Sequence, residues 1–75
     1  MSESIANYDS VALLIDVPEE GLRAGQVGAV VMTHGAGEAF EVEFPVEARK
    51  SIVATLRKEQ LLRLRGLKYD VQMAE

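Results

Sequence analysis

The sequence predicts a small all-β domain, a partly open barrel of five short strands with one short helical turn, and three observations point to it. Phe40-Glu41-Val42-Glu43-Phe44 alternates strictly between large apolar and acidic side chains, the period of a strand with one face buried and the other in water. Glycine pairs, Gly25 with Gly28 and Gly35 with Gly37, break the chain at short intervals. No stretch repeats apolar residues at the three- and four-residue spacing of a long amphipathic helix.

The elements follow in order. Residues 1–8 are expected to be a flexible N-terminus. Val11-Ala12-Leu13-Leu14-Ile15-Asp16-Val17 is a β-rich run with one charge, read as the first strand, and Pro18-Glu19-Glu20-Gly21 supplies a breaker and turn behind it. Leu22-Arg23-Ala24-Gly25-Gln26-Val27-Gly28 reads as a tight loop whose two glycines reverse the chain into a second strand at about residues 29–33. Four apolar residues in succession leave the facing of that strand open. His34-Gly35-Ala36-Gly37-Glu38 is a hairpin connection, because its glycines can take positive backbone angles.

The third strand, residues 40–44, turns Phe40, Val42 and Phe44 inward and Glu41 and Glu43 outward. Pro45 has no N–H for a ladder, so it is expected to end or bend the strand, with residues 46–50 as a connection. Ser51-Ile52-Val53-Ala54-Thr55-Leu56 is the fourth strand. Arg57-Lys58-Glu59-Gln60 is one helical turn leading into a fifth strand at 61–64, with a helix over 57–64 as the alternative. The expected core joins the two phenylalanines and Val42 to Leu13, Ile15, Val30 and Leu56, each large side chain contributing roughly 1.5–3 kcal/mol when buried. Ordering a residue costs about as much, so a domain of this size holds by a thin margin.

The 75 residues allow one domain, and without cysteine there is no disulfide or thiolate metal site, which suits a reducing cytoplasm. The N-terminus lacks a basic start followed by an apolar stretch, and no segment is long enough to span a bilayer, so the expectation is a soluble cytoplasmic protein without a membrane partner. The net charge of -4 conceals an asymmetry. Residues 1–45 hold eight acids against Arg23 alone, whereas residues 46–75 hold seven bases against four acids. Such a distribution can orient a partner, although interleaved strands would mix the two signs.

Val11-Ala12-Leu13-Leu14, Gly21-Leu22, Gly25-Gln26-Val27-Gly28, Phe40-Glu41-Val42-Glu43-Phe44, Leu56 and Gln60-Leu61-Leu62 together resemble the small bacterial proteins of the domain of unknown function 4926 family, over about residues 9–64. The resemblance implies a Src-homology-3-like barrel and no established activity. The Gly25 to Val31 loop and strand also resembles a KOW motif, which in ribosomal and transcription-factor barrels touches RNA or protein. An acidic chain with Glu41 and Glu43 outward is poorly suited to phosphate, and with Phe40 and Phe44 in the core few aromatic platforms remain for bases, so nucleic acid is disfavoured as a partner.

No catalytic, cofactor or metal site is assigned. Chemistry needs a nucleophile with its base, an acid and base together, or a metal, and each candidate group lacks its neighbours. His34, the single histidine, reads as a solvated turn residue before it reads as a base or ligand. Glu38, Glu41 and Glu43 could hold a divalent cation weakly, but a hydrated strand face is the simpler reading. Arg57, Lys58, Arg63, Arg65 and Lys68 form a candidate basic patch, weighed against solubility and protection of a sheet edge. Leu67, Tyr69, Val71 and Met73 alternate with polar residues in the tail at 65–75, the pattern of an extra C-terminal strand that would close the barrel edge, pair with a second copy as a homo-oligomer, or join a partner, with a disordered end that only carries the pattern as the alternative.

The expected function is therefore a non-catalytic protein-interaction module, with no enzyme activity and no cofactor. It would engage a protein partner through Glu19, Glu20, Leu22 and Arg23 in the first loop, His34 in the second, or Leu67, Tyr69, Val71 and Met73 in the tail. An antitoxin or a regulator of a neighbouring gene product fits its size and acidity. The alternatives are a KOW-like nucleic-acid binder using residues 57–68 and an accessory subunit of an enzyme.

Overall fold

The computed structural model describes residues 4–65 and contains five strands, β1 (Ser10–Leu13), β2 (Val27–His34), β3 (Ala39–Glu47), β4 (Lys50–Arg57) and β5 (Leu61–Arg63). Single 3-10 turns occupy Pro18–Glu20 and Lys58–Gln60. Every strand pair is antiparallel and the order across the one sheet is β4-β3-β2-β1-β5. The edges β4 and β5 do not meet, giving the all-β, unclosed five-stranded form expected, with its helical turn before the last strand. The strand expected from Leu67, Tyr69, Val71 and Met73 lies outside the described residues.

Alternation in β3 organises the core. Phe40, Val42 and Phe44 face Leu56, Ala54 and Ile52 across the β3–β4 ladder. Phe40, Val42, Phe44, Ala54 and Leu56 join Val11, Leu13, Leu22, Val30 and Leu61 in one buried apolar cluster, against which Ile5, Val17 and Ile52 pack. The hairpin turn between β2 and β3 uses Gly35 at φ 63° and Gly37 at φ 87°, backbone angles that side chains with a Cβ rarely adopt. Gly28, expected in the preceding loop, lies instead inside β2, where its use is space rather than backbone angle.

Strand boundaries differ from the expectation most at the ends of β1 and β3. The first strand stops at Leu13 rather than running to Val17. Leu13 is held at both backbone groups, donating its N–H to Gln26 and accepting from Gly25, after which the chain turns outward toward the Pro18–Glu20 turn. Ile15, expected in the core, is consequently 41% exposed. The third strand does not end at Pro45 but continues to Glu47, with a register shift between those two residues. Pairing with β2 has already ended at Ala29↔Glu43, so the missing N–H of Pro45 interrupts no ladder.

Residues 4–8, expected to be flexible, are tied to the sheet. Ile5 packs on the core and the Tyr8 N–H donates to the Val30 carbonyl at 2.7 Å. Asp9 Oδ2 accepts both the Ala6 N–H at 2.8 Å and Arg63 Nε at 2.9 Å, linking this segment to β5. Because Asp9→Ala removes the acceptor for both, we expect a loss of about 1–2 kcal/mol, a fall of roughly 5–10 °C in melting temperature for a domain this small. An unchanged thermal melt would show that the link does not support the fold.

A candidate interaction surface

The register of the sheet assembles a row that no single segment of sequence contains. Ala12 in β1 stands opposite Val27 in β2 on one side and Leu62 in β5 on the other. Val11 and Leu13 on either side of it point into the core, so alternation turns Ala12 and its two neighbours outward. Val27 is 44% exposed and Leu62 51%. Leu14, half exposed, continues the chain from Ala12, its N–H donating to the Gln60 carbonyl at 2.9 Å. The result is an uncharged apolar row across three strands.

The outer face of β2, β3 and β4 is different in kind. Met32 and Val53 are exposed there, but Glu41 stands beside Met32 and Glu43 beside Val53. These acids are engaged: His34 Nε2 lies 3.0 Å from Glu41 Oε2, and Ser51 Oγ donates to Glu43 Oε2 at 2.7 Å. Among the described residues no three histidine, cysteine or acidic side chains come together as a metal site.

The predicted partner-binding residues separate into groups. Glu19 and Glu20, in the first 3-10 turn, and Arg23 are exposed, as a contact loop requires. Leu22 is a correction: it is 1% exposed and belongs to the core. Reciprocal backbone bonds between Val17 and Leu22, at 2.9 and 3.1 Å, form a small bridge that sets Leu22 beneath its loop. His34 is half-exposed and paired with Glu41. Leu67, Tyr69, Val71 and Met73 lie outside the described residues, as does Lys68 of the basic patch.

The remaining basic residues are dispersed in role. Arg63 pairs with Asp9 and is mostly shielded, while Arg57 approaches Glu59 only loosely, at 3.8 Å, with both side chains in water. Lys58, Arg63 and Arg65 border a cleft of about 580 Å³ whose apolar lining includes Ile5, Phe40 and Leu61. The basic patch is thus partly internal bracing.

Sequence reading missed Ala12, Leu14, Val27 and Leu62 as surface residues. The signal was present in β1, where Val11 and Leu13 flank Ala12, but the partners opposite it depend on register. The family model described as Domain of unknown function (DUF4926) matches residues 7–63, from the turn before β1 to the last residue of β5. The chain belongs to this family. The DUF4926 match spans every strand that builds the apolar row, and its description assigns no activity. No curated protein and no solved structure matches the chain. Among the described residues no helix is long and apolar enough to cross a membrane.

Proposed function

We propose that this DUF4926 domain is a non-catalytic protein-interaction module whose partner docks on the Val27, Ala12 and Leu62 row, with Leu14 at its end. The row itself carries the reading: apolar side chains left in water on neighbouring strands of a small domain are a cost unless something covers them. The loop that leaves the row at Leu14 and returns to it at Val27 carries the exposed Glu19, Glu20 and Arg23, and charged residues outside an apolar centre are common in protein interfaces. A regulatory partner encoded nearby, as for an antitoxin, is the form of the proposal that the domain's size suits best.

The test is affinity purification of the full chain from its native host, beside Leu62→Asp and Val27→Lys. Both positions are exposed, so the variants are expected to keep their thermal melts while losing a stoichiometric protein that wild type retains. Retention of that protein by both folded variants would reject the row as the docking site. Co-eluting RNA that leaves with salt, and is indifferent to these substitutions, would favour the KOW-like alternative instead.

A further inference from the structure

The free edge of β4 carries a second surface with its own chemistry. Lys58 donates its N–H to the Glu38 carbonyl at 3.2 Å, one step past the last facing pair, Ala39↔Arg57. Bonded and non-bonded pairs alternate in an antiparallel ladder, so Phe40↔Leu56, Val42↔Ala54 and Phe44↔Ile52 are the bonded ones. The backbone groups of Ser51, Val53 and Thr55 therefore point away from β3. Arg57 obeys the same parity, and its N–H is taken by Gln60 Oε1 at 2.8 Å. Three successive outward residues remain as a template, all exposed, with β3 the one strand paired to β4 among the described residues.

Charge decides what fits. Residues 49–58 include Arg49, Lys50, Arg57 and Lys58 and no acid, in a chain whose net charge is -4. A second copy adding its own β4 about a twofold axis would bring the Lys50 end against the Arg57 end, and like charges facing across strands are unfavourable. The strand already seated on the other side shows the complement, since β3 sets Glu47 opposite Lys50. We propose that the free edge of β4 binds an extended acidic segment of a partner protein, which adds a strand alongside Ser51, Val53 and Thr55 with its carboxylates toward Lys50, Arg57 and Lys58. β4 and β5 are opposite ends of the sheet order, so this surface and the apolar row stand or fall separately.

The experiment titrates the full chain, labelled with nitrogen-15, with a capped peptide of alternating glutamate and valine, and then with its lysine and valine counterpart. Amide signals of Ser51, Val53 and Thr55 are expected to shift with the glutamate peptide, and the lysine peptide to bind at least about tenfold more weakly. Val53→Pro removes the central donor at a position where proline costs no existing ladder bond, so it is expected to abolish the shifts while the chain stays folded. Should that variant not fold, Lys50→Glu combined with Lys58→Glu is expected to reverse the preference between the peptides. Equal affinity for the two peptides, or shifts confined to other residues, would overturn the proposal. So would slow exchange of the Ser51, Val53 and Thr55 amides in the chain alone, which would mean that the edge is already covered.

Discussion

Gly28→Ala is expected to destabilise the domain by on the order of 3 kcal/mol, and Gly28→Val to leave it largely unfolded at room temperature. A methyl group on Gly28 would lie 2.5 Å from the Glu43 carbonyl oxygen, 2.8 Å from Phe44 Cδ1 and 3.0 Å from Val42 Cγ1. The first of these is backbone, held in the ladder by the pair Ala29↔Glu43, and cannot rotate out of the way. At this point β2 stops pairing with β3 and continues beside β1 alone, opposite Val11. The sheet must coil sharply there, and only a residue without a side chain lets the strands approach so closely.

For a chain of 75 residues the whole folding free energy is on the order of 4–11 kcal/mol, so the substitution takes a large share of it. Gly37→Ala makes the contrasting measurement. A Cβ on Gly37 would meet nothing within 4 Å, and the cost there is backbone strain at φ +87°, about 1 kcal/mol. Chemical denaturation of the two alanine variants should rank them in that order. If Gly28→Ala proves as mild as Gly37→Ala, the close approach of β2 to β3 is not what the fold depends on.

What could be read from sequence depended on how local the cause was. The third strand announced itself because Phe40, Val42 and Phe44 alternate with acids, a pattern needing no knowledge of any other strand. The turn at residues 35–38 was legible for the same reason, since two glycines in a row of small residues admit few alternatives. The end of β1 was not: Leu13, Leu14 and Ile15 are equivalent as apolar residues, and only the bonds from Leu13 to Gln26 and from Gly25 to Leu13 decide which of them face the core. Leu22 shows the converse error. A single leucine between glycine and arginine looks like loop surface, yet the Val17 bridge turns it inward.

The candidate surfaces were less legible still. Val27, Ala12 and Leu62 are spread across fifty residues of chain, and their adjacency is a property of two ladders. The basic residues were visible as a cluster in composition, but their division between an internal brace at Arg63 and the ends of a free edge at Lys50 and Arg57 follows from strand order alone. Even the Gly28 constraint was seen as the right residue for the wrong reason. A turn glycine and a close-approach glycine look identical until the neighbouring strand is placed.

Phe44→Ala is expected to cost about 3–5 kcal/mol, enough to bring a domain of this size to the edge of unfolding, and Phe40→Ala a similar amount. Both rings are essentially fully buried in the one apolar cluster. A cavity left by either has no second layer to fill it among the described residues, whose buried side chains form one cluster on one sheet. Thermal melts of the two variants are the first check, and an unchanged midpoint in both would remove these rings from the core. The sharper measurement joins Phe44→Ala to Gly28→Ala. The methyl added at residue 28 points at Phe44 Cδ1, so truncating the ring relieves one of its three close contacts and leaves the Glu43 carbonyl contact in place. The pair should therefore cost less than the sum of its parts by about 1 kcal/mol, but still more than Phe44→Ala alone. Strict additivity would mean that ring and glycine do not touch, whereas full rescue by the truncated ring would mean that the ring, not the β3 backbone, is what forbids a side chain at position 28.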